Sequence, residues 1–147
     1  MQSRAQAVWE GDLMSGNGRV SSRTSGVIRD AGLSWKARTE SAGANTNPEE
    51  LLAASHASCF AMAVSNGLAK AGKPPQKLEV TATVMFGPKQ GGGFAVQESA
   101  LEVRGAVRGI DAAAFQQAAE AAKDGCPISQ ALKSNVKLSV RAQLEGA

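Results

Sequence analysis

Two cysteines, Cys59 and Cys126, carry most of the reactive chemistry in this chain. Thiols 67 residues apart are too few for a secreted disulfide scaffold. In a reducing compartment they read as buried thiols or as a redox pair. Nothing immediately beside Cys59 lowers a thiol pKa, so its local sequence also suits a small buried hydrophobe. His56 lies three residues earlier, on the same helical face. A Cys–His nucleophilic pair is conceivable, but that spacing does not by itself aim a ring nitrogen at sulfur. A packed or hydrogen-bonded His56 fits better. Cys126 stands between Gly125 and Pro127, at an N-cap-like position where the positive end of a short helix favours a thiolate. The alternative there is a half-buried turn residue. With His56 the cysteines make three soft ligands without paired spacing, where structural zinc wants four, so neither metal nor cofactor is expected.

Arg38 and Glu49 are the charged candidates, although most such residues are simply solvated. In a straight helix Glu49 would sit ~15 Å along the axis from Cys59 and about 80° around it. It could act on the thiol only through an intermediary, such as an arginine it orients, or across a break in the helix. Glu50 is the rival carboxylate; as the third helical residue it suits a capping box.

These residues need a frame, and the frame is built around residues 46–60, which open a long helix. Asn47 suits an N-cap, Pro48 the first helical position, and Glu49 and Glu50 the positive end of the helix dipole. From Leu51 to Ala71 there is no proline, and glycine occurs only at Gly67. Small residues such as Ala53, Ala54, Ala57, Ser58 and Ala61 would let other backbones pack close. A helix apolar nearly all round reads as buried. It should end near residues 71–72, because Lys73-Pro74-Pro75 forbids continuation.

Around it, residues 2–10, 19–22, 26–28 and 33–39 read as a meander of strands, the last with Leu33, Trp35 and Ala37 on one face. Residues 78–86 alternate strongly, residues 87–93 form a glycine-rich hairpin connection, and residues 94–107 read as the partner strand. Asp111 caps a helix over 112–123, Cys126-Pro127 starts a short helix through Lys133, and residues 136–144 alternate as a closing strand. Strands grouped rather than alternating with helices predict an α+β fold with helices packed on a sheet. The 147 residues, with 43% hydrophobic and 20% charged, suit one globular domain. The net charge of +3 is scattered. Basic pairs such as Arg104 and Arg108 are not interleaved with aromatics, so no nucleic-acid partner is expected. No stretch is read as reaching the ~18 apolar residues of a membrane span. The N-terminus lacks an apolar signal region, which predicts a cytoplasmic protein.

Four stretches resemble the OsmC/Ohr family of thiol-dependent hydroperoxide reductases, and within it the OsmC branch. They are Ala7-Val8-Trp9-Glu10-Gly11-Asp12; Thr46-Asn47-Pro48-Glu49-Glu50-Leu51 with Ala54-Ser55-His56-Ala57-Ser58-Cys59-Phe60; Gly109-Ile110-Asp111; and Gly125-Cys126-Pro127-Ile128-Ser129-Gln130. The resemblance implies an α+β fold, an antiparallel sheet packed on a long central helix, and an intertwined homodimer with active sites at its interface. It implies Cys59 as the peroxidatic cysteine, Cys126 as the resolving one, Arg38 stabilising the Cys59 thiolate and Glu49 orienting that arginine. In the Ohr branch the arginine comes from the N-terminal glycine-rich loop, where Arg19 is the nearby residue here. The implied substrates are organic hydroperoxides, with hydrogen peroxide used less well, and the implied reductant is a lipoyl-type dithiol, in a role in stress defence. Leu52, Phe60, Met62 and Met85 are candidates for an apolar substrate surface, with ordinary core packing as the alternative. A thiol redox sensor and a non-catalytic dimeric binding protein are the competing functions.

Overall fold

The computed structural model describes residues 1–146 as two compact units, Met1–Leu51 and the chain from Leu52 onward. In the first unit, β1 (Ala5–Glu10), β2 (Asn17–Ser22) and β3 (Ala31–Leu33) form an antiparallel sheet in that order. The β1–β2 turn is held by Asp12, whose carboxylate accepts the N–H groups of Met14 and Ser15 at 2.8 and 3.0 Å. Gly18 lies under the Trp9 ring; a Cβ there would come within 2.8 Å of it, so no larger residue fits.

Two expected strands of this unit are not strands. Residues 26–28 form a loop closed by Ser22, whose hydroxyl accepts the Ile28 N–H at 2.9 Å. Most of 33–39 is a helix, α1 (Trp35–Thr39). The Ser34 hydroxyl accepts the Ala37 N–H at 3.1 Å and caps it. Over so few residues apolar alternation cannot separate strand from helix, and the cap decides.

The helix α2 (Pro48–Lys70) begins as its sequence predicts. The Asn47 side chain accepts the Glu50 N–H at 2.8 Å and donates to the Ala37 carbonyl at 3.1 Å. It ends on Gly72 in the left-handed region, φ +72°. Gly72 N–H reaches Ala69 O and Lys73 N–H reaches Leu68 O, the paired bonds of a Schellman ending.

In the second unit β4 (Lys77–Pro88), β5 (Phe94–Ala106) and β6 (Lys137–Leu144) form a sheet in sequence order, with α3 (Ala112–Gly125) and α4 (Pro127–Leu132) between β5 and β6. β4 and β5 pair antiparallel, but β6 runs parallel to β5, with Leu101 opposite Val140. The sheet is therefore mixed rather than wholly antiparallel. The two helices carry the chain back along the sheet before β6 enters, the crossover that a parallel pair requires.

The core of this unit joins Phe60, Val64 and Leu68 of α2 to Leu101 and Val103 of β5 and to Phe115, Ala119 and Ala122 of α3. His56 continues the four-residue spacing of the α2 stripe and is fully buried. Gly105 makes room for Phe115, whose Cζ would lie 2.5 Å from an added Cβ. The opposite face of α2 is open in the single chain, with Met62 69% exposed, so the helix is buried on one stripe rather than all round. Contrary to the sequence expectation, α2 is also long and apolar enough to span a membrane, at 23 residues and a mean hydropathy of 1.2. Many alanines raise its average without any single bulky apolar run, and Phe60, Val64 and Leu68 are used in the core.

Candidate active site

Cys126 occupies the junction of two helices. Its N–H donates to Ala122 O at 2.8 Å, ending α3, and its carbonyl accepts Gln130 N–H at 2.9 Å, starting α4. Pro127 fills the first helical position, where its missing N–H costs nothing. The side chain is fully buried rather than half-buried. Its sulfur closes no short capping bond, but the N–H groups of Ser129 and Ile128 and the Ser129 hydroxyl all act on it. Burial pushes the thiol up; these donors, together with the Cys59 thiol, outweigh burial and bring it below the ordinary cysteine value.

Cys59 is half-buried and lines an open hollow of about 580 Å³ with Ser58, Met62, Asn66, Pro127 and Ile128. Burial pushes its thiol up; the Ile128 N–H pulls the other way, and the neighbouring Cys126 adds to the rise. Both cysteines are free thiols, and they are close enough to perturb each other. Of the pair, Cys59 is reachable from outside, while Cys126 holds the environment that favours a thiolate.

His56 does not touch Cys59 through a hydrogen bond. Its Nδ1 pairs with the Ser99 hydroxyl at 2.7 Å and its Nε2 with the Ser129 hydroxyl at 2.8 Å. Burial holds its pKa below the ordinary histidine value, so the ring is neutral near pH 7. His56 is the hydrogen-bonded core residue that its spacing suggested.

In the first unit Arg38, on α1, and Glu49, on α2, form a forked ion pair. Nε reaches both carboxylate oxygens at 3.1 Å, and Nη2 reaches Oε1 at 2.7 Å. The Glu49 side chain is only 8% exposed and that of Arg38 31%, so the guanidinium is held in place and stays partly exposed. Beside it lies an apolar hollow of about 200 Å³ walled by Trp9, Leu13, Leu33 and Trp35. Glu50 is exposed and its carboxylate accepts the Thr46 hydroxyl, a variation on the expected capping box. Arg19 is exposed on β2, opposite Val8.

The candidates for an apolar substrate surface divide. Met62 lines the Cys59 hollow. Phe60 points the other way, fully buried in the core, because it lies on the His56–Val64 stripe. Leu52 is half-buried, and Met85 is exposed on β4 on the face that carries Glu79, Thr81 and Thr83. Sequence reasoning overlooked Ser99, Ser129 and the tryptophan-walled hollow. Ser129 had a signal, three residues after Cys126 inside the Cys-Pro-Ile-Ser-Gln run; Ser99 had none, since β5 brings it to His56 from 43 residues away.

A half-exposed thiol, a buried partner thiol at a helix N-terminus and a mixed α+β frame define a dithiol protein. The chain belongs to the OsmC family, whose model, described as OsmC-like protein, matches residues 41–141. It is 43% identical over 138 residues to the Peroxiredoxin OsmC of Escherichia coli (strain K12), covering 94% of each chain. It is 34% identical over 117 residues to the Organic hydroperoxide resistance protein of Xanthomonas axonopodis pv. citri (strain 306), covering 76% of this chain and 77% of that protein. The crystal structure of the organic hydroperoxide resistance protein OhrB of Bacillus subtilis matches with a TM-score of 0.73 at 25% identity, over 95% of this chain and 98% of that one.

Proposed function

We infer that this protein is a thiol-dependent peroxidase that reduces organic hydroperoxides to alcohols. The observation that carries this is the Cys59–Cys126 pair: one thiol opens to a hollow, its partner is buried at a helix N-terminus, and each perturbs the other. The Cys59 thiolate attacks the terminal peroxide oxygen, the O–O bond breaks, and the alkoxide leaves to be protonated as the alcohol. Cys59 is then a sulfenic acid. The Cys126 thiolate attacks that sulfur; the S–S bond forms, the S–O bond breaks, and the departing hydroxide takes up a proton as water. An external dithiol, proposed to be of lipoyl type, returns the disulfide to two thiols by exchange.

Cys59 is raised within its own unit, so it needs a cation, and Arg38 is proposed as that cation, with Glu49 holding it. Each unit by which a thiol pKa is lowered takes about 1.4 kcal/mol. A guanidinium ~4 Å from sulfur at an effective dielectric near 20 contributes roughly 4 kcal/mol. We further propose that the protein is a single functional domain acting as a cytoplasmic homodimer. The open face of α2 around Met62 supports the dimer, since a large apolar side chain there is left exposed in the single chain.

The test is to add one equivalent of an alkyl hydroperoxide to the reduced protein and measure intact mass without reductant. A mass two hydrogens lower, with peroxide consumed, is expected, followed by multiple turnovers once a dithiol is supplied. Oxidation without turnover would leave a sensor; unmodified protein with unconsumed peroxide would leave both thiols inert.

A further inference from the structure

The peroxidase mechanism uses neither His56 nor its two serines, yet burying an imidazole costs free energy unless both nitrogens are paired. Here both are, to serines on different elements: Ser99 on β5 and Ser129 on α4. Ser129 is the third residue of α4, one turn from Cys126 at the N-cap, so its side chain and the Cys126 sulfur share one end of the helix. Its hydroxyl acts on that sulfur. Ser99 and Ser129 pair the two ring nitrogens, and Ser129, Cys59 and the N–H groups of Ile128 and Ser129 act on Cys126.

A neutral imidazole donates from one nitrogen and accepts at the other. If Nε2 carries the proton, the ring donates to Ser129 Oγ. The Ser129 hydroxyl hydrogen is then directed away from the ring, toward Cys126, and Ser99 donates to Nδ1. If Nδ1 carries it, the Ser129 hydrogen is drawn to the ring and lost to sulfur. A thiolate favours the first arrangement, because a hydrogen bond to an ion is about twice as strong as a neutral one.

We propose that His56 is a positioning residue for Cys126: its Nε2–H donates to Ser129, and the Ser129 hydroxyl thereby donates to the Cys126 thiolate that closes the disulfide. The relay places a directed donor on a buried sulfur without burying a positive charge. It rests on the peroxidase reading for its purpose, but its effect on Cys126 does not.

Two measurements separate the relay from that reading. In a Cys59→Ser background, Cys126 is titrated by thiolate ultraviolet absorbance. Ser129→Ala should raise its midpoint by about one unit, Ser129→Thr should recover most of that shift, and His56→Leu should move it in the same direction as the alanine. In the otherwise wild-type chain, Ser129→Ala should slow disulfide closure about tenfold at neutral pH, with sulfenic acid trapped by a 1,3-dione, while first-turnover peroxide consumption falls far less. A Cys126 midpoint unmoved by Ser129→Ala and by His56→Leu, with only thermal stability lowered, would overturn the relay and leave a structural network. A wild-type protein that consumes no peroxide would overturn the peroxidase reading, while the titration would still decide the relay.

Discussion

Arg38 supports two separable predictions, one for stability and one for chemistry. Arg38→Ala removes the forked partner of a carboxylate whose side chain is 8% exposed. Stranding a buried charge is the costly way to break an ion pair, so the variant should lose about 3 kcal/mol. Adding Glu49→Gln removes the stranded charge while keeping its shape, and should recover most of that loss. The peroxide reaction should behave differently. Without the guanidinium the Cys59 thiol is left where burial and Cys126 push it, above the ordinary cysteine value, so at pH 7 its thiolate fraction and the rate should fall by more than ~10-fold. The double variant cannot recover this, because the cation is still missing. Urea unfolding gives the first quantity, and stopped-flow mixing of reduced protein with an alkyl hydroperoxide gives the second. The rate deficit should shrink as pH rises through the thiol range, since every variant is then a thiolate. A double variant that reacts at the wild-type rate at pH 7 would refute the assignment and transfer the role to another cation, Arg19 first.

Other outcomes follow from the same contacts. Because burial depresses the His56 pKa below its unfolded value of 6.5, its contribution to stability is present above that pH and is lost as pH falls below it, by up to about 1.4 kcal/mol per pH unit. His56→Gln should flatten that part of the stability–pH curve, as measured by urea midpoints between pH 7 and 5. Gly105→Ala places a Cβ 2.5 Å from Phe115 Cζ, and overpacking of this kind should cost about 1–3 kcal/mol by thermal unfolding. Asp111→Ala deletes the 2.8 Å bond to the Ala114 N–H that caps α3, and should cost about 1 kcal/mol in the same assay with peroxide turnover unchanged.

Much of the frame was legible because its signals are local. Asn47, Pro48 and the Lys73-Pro74 stop bounded α2 within a few residues, and Asp111 marked the start of α3, because caps and prolines act through backbone groups within one turn. Alternation over residues 78–86 identified β4, and the glycine-rich connection after it marked residues 94–107 as the partner strand β5. One misreading occurred where the signal was short. Five residues of α1 alternate as well as a strand does, and only the Ser34 cap separates the two.

By itself the sequence determined which residues carry reactive groups, which helix holds Cys59, and that Cys126 begins another. Each of these depends on residue type and on neighbours within about four positions. Only the tertiary structure decided what those groups meet. It turned β6 parallel to β5, put Phe60 into the core rather than beside the thiol, and set Ser99 and Ser129 on the two nitrogens of His56 from 43 and 73 residues away. Such contacts exist only after the chain has closed long loops and buried its apolar stripe. Their partners are chosen by the packing of whole elements, and no local run of residues specifies them.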